Sequence, residues 1–342
     1  SPGGNVVTIP SGSSSGSGTV FQAGAGAATL DAISVPAELT ATTCKNSSTG
    51  AFSCSVSFAA TALSVSVPNF VSGNAATGSV SGCTAQLPAG ANTINFFTAY
   101  QNPATGTQQA TINATTVATS GPGTAISLNF NGSSPTSSAT FSLSYPDVGS
   151  VGLTAVKASA TGSSSFVVVP HHFTLSAINC VSGCIVTPNP GAANASGARF
   201  MKAGNPFSLT VTASNSSNAA TPNFGKETPA ESVILVPAAN MPDLPGAVAG
   251  NLTGAFGAFS NGVATGNAFT YDEAGIMTLT ASLNDPDAKG YLSIGNQALN
   301  PAGTVSGNIG RFIPDHFTLA NDPASPILTR AALPQAAANA SG

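Results

Sequence analysis

The stretch Phe166-Val-Val-Val-Pro-His-His-Phe-Thr-Leu-Ser176 returns near the end of the chain as Phe312-Ile-Pro-Asp-His-Phe-Thr-Leu-Ala320. Pro170 and Pro314 lie 144 residues apart, a separation typical of one domain. A phrase repeated at that spacing marks equivalent junctions in a tandem array of modules, each large enough to hold its own core. Tyr145-Pro-Asp-Val-Gly149 and Tyr271-Asp-Glu-Ala-Gly275 form a second repeat in the same order, each followed by an alternating strand containing Leu-Thr-Ala. The distances to the following phrase differ, because residues 284–308 form an insertion in the second module.

Between these phrases the hydrophobic pattern has period two. Leu63, Val65 and Val67 alternate with polar residues, as do Ile94, Phe96 and Tyr100, then Ile126, Leu128 and Phe130, then Phe141, Leu143 and Tyr145. Phe207, Leu209, Val211 and Ala213 repeat the pattern in the second half, as do Met277, Leu279, Ala281 and Leu283. Alternation of this kind indicates strands with one buried face. Turn-rich stretches such as Asn102-Pro-Ala-Thr-Gly106 and Ser120-Gly-Pro-Gly123 separate them. No segment has amphipathic helical spacing. The fold class expected is all-β, with tandem Ig-like antiparallel β-sandwich modules. The boundaries expected are a Ser/Gly-rich connector or donor segment over 1–28, one sandwich over 29–165 and a second over 166–312. Residues 313–342 are expected to start a further module or to form a C-terminal tail.

The 342 residues include eight Lys or Arg and twelve Asp or Glu, where soluble proteins carry about a quarter charged residues. The surface must therefore be built from Ser, Thr, Asn, Gly and Ala. Hydrophobicity is normal and net charge small, so the chain should fold rather than stay disordered. Eight scattered basic residues leave no electrostatic footprint for nucleic acid or an anionic membrane. The weak charge and five cysteines suit an oxidising, extracellular setting. No apolar run approaches the roughly 20 residues of a spanning helix, and the first residues lack the basic and apolar regions of a signal peptide.

Cys180-Val-Ser-Gly-Cys184 brackets a tight turn and reads as a disulfide. Cys44 and Cys54 flank a hairpin-like tip and are the next pair, leaving Cys83 over; pairing of Cys83 with either of them is the alternative. A metal site would need a fourth ligand, and only His171 and His172 are near, at a spacing unlike a zinc module.

Chemistry is sparse elsewhere. The only histidines, His171, His172 and His316, all sit in the repeated phrase. Catalytic machinery is seldom duplicated at every junction, so Pro170, His172 and Phe173, with Pro314, His316 and Phe317, read as structural residues. Gly12-Ser-Ser-Ser-Gly16 matches the nucleophile-elbow pattern but arises by chance in a Ser/Gly tract. Asn284-Asp-Pro-Asp-Ala-Lys-Gly290 begins like a calcium loop, yet Lys289 replaces an oxygen ligand and no acidic residue closes it. With no Trp and four Tyr, a sugar-stacking cleft is disfavoured. No catalytic, cofactor-binding or metal-binding residue is assigned.

The wording of Asn95-Phe-Phe-Thr-Ala-Tyr-Gln-Asn-Pro-Ala-Thr-Gly-Thr107, Phe269-Thr-Tyr-Asp-Glu-Ala-Gly-Ile-Met-Thr-Leu-Thr-Ala-Ser-Leu283 and Gly310-Arg-Phe-Ile-Pro-Asp-His-Phe317 resembles the C-terminal region of the MshQ-like family of large proteobacterial surface proteins. That resemblance implies export, a β-rich multi-domain protein and a pilus-associated or adhesive role beside type IV pili of the mannose-sensitive-haemagglutinin kind. The function expected is non-enzymatic: stalk or body modules of an adhesin, partnered by neighbouring modules and by pilus components or a surface receptor. A structural subunit of a filament, assembled by strand pairing or donation from 1–28 or the tail after 320, is the alternative. A secreted hydrolase ranks last.

Overall fold

The computed structural model describes residues 3–4, 20–21, 26–29, 53–58, 62–133, 136–241, 249–301 and 303–317. The Ser/Gly tract 11–18, Cys44 and the tail 321–342 lie outside the described residues. Two short ladders come first, Gly3–Gly4 with Val20–Phe21 and Gly26–Thr29 with Ser55–Phe58.

The first sandwich follows, with β1 (Ser64–Ser66), β2 (Phe70–Val71), β3 (Ala75–Cys83), β4 (Gly90–Asn102), β5 (Thr111–Ile112) and β6 (Thr115–Thr116). It continues with β7 (Thr124–Phe130), β8 (Thr136–Ser144), β9 (Gly149–Lys157) and β10 (Ala160–Val169). One sheet has the order β6-β5-β8-β3-β1 and the other β7-β4-β9-β10-β2. Alternate residues of each strand are buried between the sheets: Ile94 and Phe96 of β4, Phe141 and Leu143 of β8, and Leu153 and Ala155 of β9 are at or near zero exposure. Each fully buried large side chain of this kind contributes roughly 1.5–3 kcal/mol, and the period-two pattern fixes the register, since a one-residue slip would turn every one of them to solvent.

The second sandwich is built the same way from β11 (His172–Cys180), β12 (Met201–Lys202), β13 (Phe207–Ser214), β14 (Val233–Met241) and β15 (Leu252–Thr253). It is completed by β16 (Val263–Tyr271), β17 (Gly275–Leu283), β18 (Thr304–Val305) and β19 (Ile309–Ile313). Its sheets have the orders β11-β13-β16-β15 and β12-β19-β17-β14, with β18 also pairing β17. Phe200, Phe207, Phe269 and Phe312 fill the far half of its core in edge-to-face and tilted pairs. The insertion 284–308 holds two 3₁₀ turns and β18. No described helix is long and apolar enough to cross a membrane. The fold is thus all-β and Ig-like, with two stacked sandwiches.

Each sandwich carries one short parallel ladder near its end: β2 with β10 in the first (Val169↔Val71) and β12 with β19 in the second (Ile313↔Lys202). The repeated phrase is therefore the last strand of one sandwich running into the segment that follows it.

Candidate functional site: the joint between the sandwiches

Only Pro170 and His171 separate the end of β10 from the start of β11. So short a link, with φ fixed at the proline, brings the end of one sandwich directly onto the beginning of the next. Val148 and Val169 from the first sandwich are fully buried in the same cluster as Phe173, Val211 and Phe224 from the second. Phe173 stands edge-on to Phe224 at 5.3 Å between centroids.

Polar groups seal the rim of this contact. The Ser216 amide donates to the Ser72 carbonyl at 3.0 Å. Asn215 Nδ2 donates to the Pro146 carbonyl at 3.0 Å, while its Oδ1 accepts from the amides of Ser217 and Ala219, which ties the loop after β13 to the first sandwich. Asn102 and the Thr228 backbone exchange two hydrogen bonds, of 2.9 and 3.1 Å. Gly73 has φ +80°, and a Cβ built there would stand 2.5 Å from Ser216 Oγ and 3.0 Å from Ser216 N. The turn therefore needs glycine for both conformation and close approach. Gly73→Ala is expected to cost about 2 kcal/mol from the left-handed backbone and to loosen the joint; a melting curve within 2 °C of the parent would contradict this.

At the centre lies a buried acid. Asp147 is fully enclosed. Its Oδ1 accepts from the Val148 amide at 2.9 Å and from the Asn223 amide of the second sandwich at 3.0 Å. Its Oδ2 has no hydrogen-bond partner among the described residues. Asn223 Nδ2 in turn donates to Tyr145 Oη and the Val148 carbonyl, both at 3.3 Å. Desolvation pushes the Asp147 carboxyl up to about 6, against the pull of the two amides and of Lys226. Glu227, also buried, accepts from the Tyr291 hydroxyl and from the Gly225 amide, and burial holds its carboxyl above the usual range. Glu231 is shifted up for the same reason and by the neighbouring acids.

Of the residues singled out from sequence, Pro170 and Phe173 are buried at this joint, and His172 is half-buried with its Nδ1 2.8 Å from that of exposed His171. Loss of solvent, then the neighbouring His171, lowers the His172 imidazole. Pro314, His316 and Phe317 are exposed at the opposite end of the second sandwich, with Phe317 87% accessible. Cys180 and Cys184 are disulfide-bonded, with Cα atoms 5.5 Å apart. Closing so short a loop predicts that serine at both positions costs at most about 2 kcal/mol in unfolding stability, read by denaturant titration. Cys54 is disulfide-bonded, its expected partner Cys44 lies outside the described residues, and Cys83 is free. The described residues contain no group of three or more His, Cys, Asp or Glu placed to hold a metal ion. The sequence reading passed over Asp147, Asn223, Glu227 and Tyr291; the signal for Asp147 was its place inside the repeated Tyr-x-acid-x-Gly phrase.

A second feature lies on the flank of the second sandwich. An open groove of about 650 Å³ runs beside β14, with Leu235, Leu252, Phe256, Phe259 and Glu231 among its walls. β14 is an edge strand, and Pro237 at its middle removes one backbone donor.

Comparison with known proteins bears on this architecture. The family model described as "Domain of unknown function (DUF6701), first Ig-like domain" matches residues 41–169. Models of the second and third DUF6701 domains match 169–272 and 273–331. The latter two meet between β16 and β17, so both contribute strands to one sandwich here. No curated protein matches the chain. Among solved structures, FdeC, an Escherichia coli adhesin, is similar at 12% identity and a TM-score of 0.31, covering 76% of this chain and 70% of that one. Invasin, a bacterial integrin-binding protein, gives 14% identity and 0.29, covering 74% and 39%. A C-terminal intimin fragment in complex with the intimin-binding domain of the translocated intimin receptor gives 12% and 0.30, covering 75% and 65%. The chain thus spans well under half of the invasin chain and just under two thirds of the intimin one.

Proposed function

The chain belongs to the DUF6701 family, and from that premise we propose that it is a non-enzymatic extracellular spacer, the stalk or body of a pilus-associated adhesin on a bacterial surface. The observation that carries this reading is the joint: a shared apolar cluster closed by side chains from both sandwiches sets one sandwich on the next, which is what a spacer requires. A charge-poor surface and the Cys180–Cys184 disulfide support an oxidising compartment outside the cell. Association with type IV pili rests on the sequence resemblance alone, and its partners would be pilus components, neighbouring modules or a surface receptor. The test is antibody labelling of intact bacteria together with electron microscopy of the purified chain. Labelling at the surface and two-bead particles with one inter-bead angle are expected; a chain confined inside the cell, or beads at random angles, would sink the proposal.

The alternative, a filament subunit, is favoured by the exposed Ile234 and Val236 on edge strand β14. Pro237 works against strand addition at that edge. Negative-stain images with and without residues 321–342 decide between them: filaments that vanish on truncation would establish strand donation.

A further inference from the structure

The far end of the second sandwich repeats, bond for bond, the surface on which the second sandwich itself is seated. At the joint, the Ser72 amide donates to Val169 O at 2.8 Å, Gly73 to Tyr145 O at 2.9 Å, and Asn74 to Val71 O at 3.1 Å. At the far end, Ala203 donates to Ile313 O at 2.9 Å, Gly204 to Tyr271 O at 2.7 Å, and Asn205 to Lys202 O at 3.3 Å. Gly73 and Gly204 have φ of +80° and +82°, and Gly149 and Gly275, which close the two Tyr-x-acid-x-Gly loops, have +118° and +124°. Asp147 accepts from the amide of the next residue, Val148, at 2.9 Å, and Glu273 from that of Ala274 at 2.8 Å.

The two surfaces differ in what covers them. A Cβ on Gly73 would strike Ser216 of the next sandwich, whereas one on Gly204 would meet nothing within 4 Å. Phe173 is 0% exposed and its repeat, Phe317, is 87% exposed. Asp147 and Pro170 are buried, while Glu273 and Pro314 are open. The disulfide-closed turn adds to this face, since the Val181 amide donates to the carbonyl of Pro206, next to Asn205, and Val181 is 51% exposed.

We infer that this end, formed by the Ala203-Gly204-Asn205 turn, the Tyr271–Gly275 loop and Phe317, is a docking surface for the leading end of a further Ig-like sandwich of the second kind. Phe317 would be that sandwich's buried anchor, as Phe173 is at the existing joint, and Glu273 would accept a backbone amide from the loop equivalent to residues 215–232, as Asp147 accepts from Asn223. Lys202 and Asp272 stand where the first joint has Val71 and Pro146, and Lys202 is paired with Asp315 at 2.8 Å. The inference rests on the reading of the chain as a modular spacer, but its test reads joint formation alone and is indifferent to where in the cell the protein works.

The test is a chain in which residues 173–317 are appended after His316, so that a second copy of the second sandwich follows the far end in the register of the repeat. One fixed angle between the second and third sandwiches in single-particle images is expected, with Gly204→Asn broadening it while leaving the melting of the parent chain unchanged. Asparagine tolerates the left-handed backbone, so its side chain tests the approach and not the turn. A freely distributed angle, or no response to Gly204→Asn, would overturn the inference. Should the appended copy not fold, the cradle is moved instead: Ser72→Ala, Pro146→Asp, Asp147→Glu and Val148→Ala rebuild the first joint with far-end residues. A second sandwich that still docks at one angle is expected; one that swings freely refutes the equivalence.

Discussion

Phe173→Ala is expected to lower the unfolding free energy of the second sandwich by about 3–5 kcal/mol, the usual cost of emptying a fully buried aromatic site. Phe173 is 0% exposed and packs against Phe224, which itself contacts Phe259 and Tyr291. Val148 and Val169 close the same cluster from the first sandwich, so the cavity would open at the joint and not deep inside either core. For a sandwich of this size the loss corresponds to a melting temperature lower by roughly 10 °C. The inter-sandwich angle should broaden at the same time. Phe317→Ala, in the same phrase but at an exposed position, should change stability by no more than about 0.5 kcal/mol. Calorimetry of the two variants side by side checks both statements, and comparable losses would show that Phe173 does not anchor the joint.

The second large effect is one of pH. The Asp147 carboxyl sits at about 6 in the folded protein against 3.8 ordinarily, so the fold binds this proton more tightly than the unfolded chain does. Its contribution to stability is therefore fully present below about 4 and is lost as pH rises through about 6. A shift of about two units corresponds to roughly 3 kcal/mol at most. Glu227 and Glu231 are displaced in the same direction by burial. His172 acts oppositely, because its lowered imidazole disfavours folding once protonated. The expected result is that the wild-type protein melts at higher temperature at pH 5 than at pH 7. Asp147→Asn, which keeps the Oδ1 acceptor for the Val148 and Asn223 amides and removes the charge, should flatten most of that difference. An identical pH profile for the two proteins would remove Asp147 from the account, and a carboxyl carbon resonance for Asp147 titrating near 4 would do so directly.

Much of this architecture was legible in the residues. Alternation at Ile94 and Phe96, Phe207 to Ala213, and Met277 to Leu283 gave strands with one buried face, and those side chains are buried. The four-residue spacing of Cys180 and Cys184 gave a bond, and the bond is there. The repeated phrase includes Pro170, which lies in the two-residue link between two strands, and a short proline-containing link of that kind leaves a local trace. The joint's polar seal left none. Asn215, Asn223 and Thr228 are three among many Asn and Thr in a chain that uses them everywhere, and nothing in their neighbours distinguishes a solvated loop from one pressed against another domain.

Local chemistry by itself determined that this protein is a charge-poor, all-β tandem of modules, since strand periodicity, turn residues and close cysteine pairs depend on neighbours a few positions away. Only the tertiary structure decided which acids and aromatics matter. Asp147 and Glu273 occupy the same place in the same phrase, and so do Phe173 and Phe317, yet one of each pair is buried and the other open. The difference lies in whether a second sandwich covers the surface. Burial by a distant part of the chain sets the dielectric, the hydrogen-bond partners and the proton affinity of a side chain, and no residue carries that information in its own name.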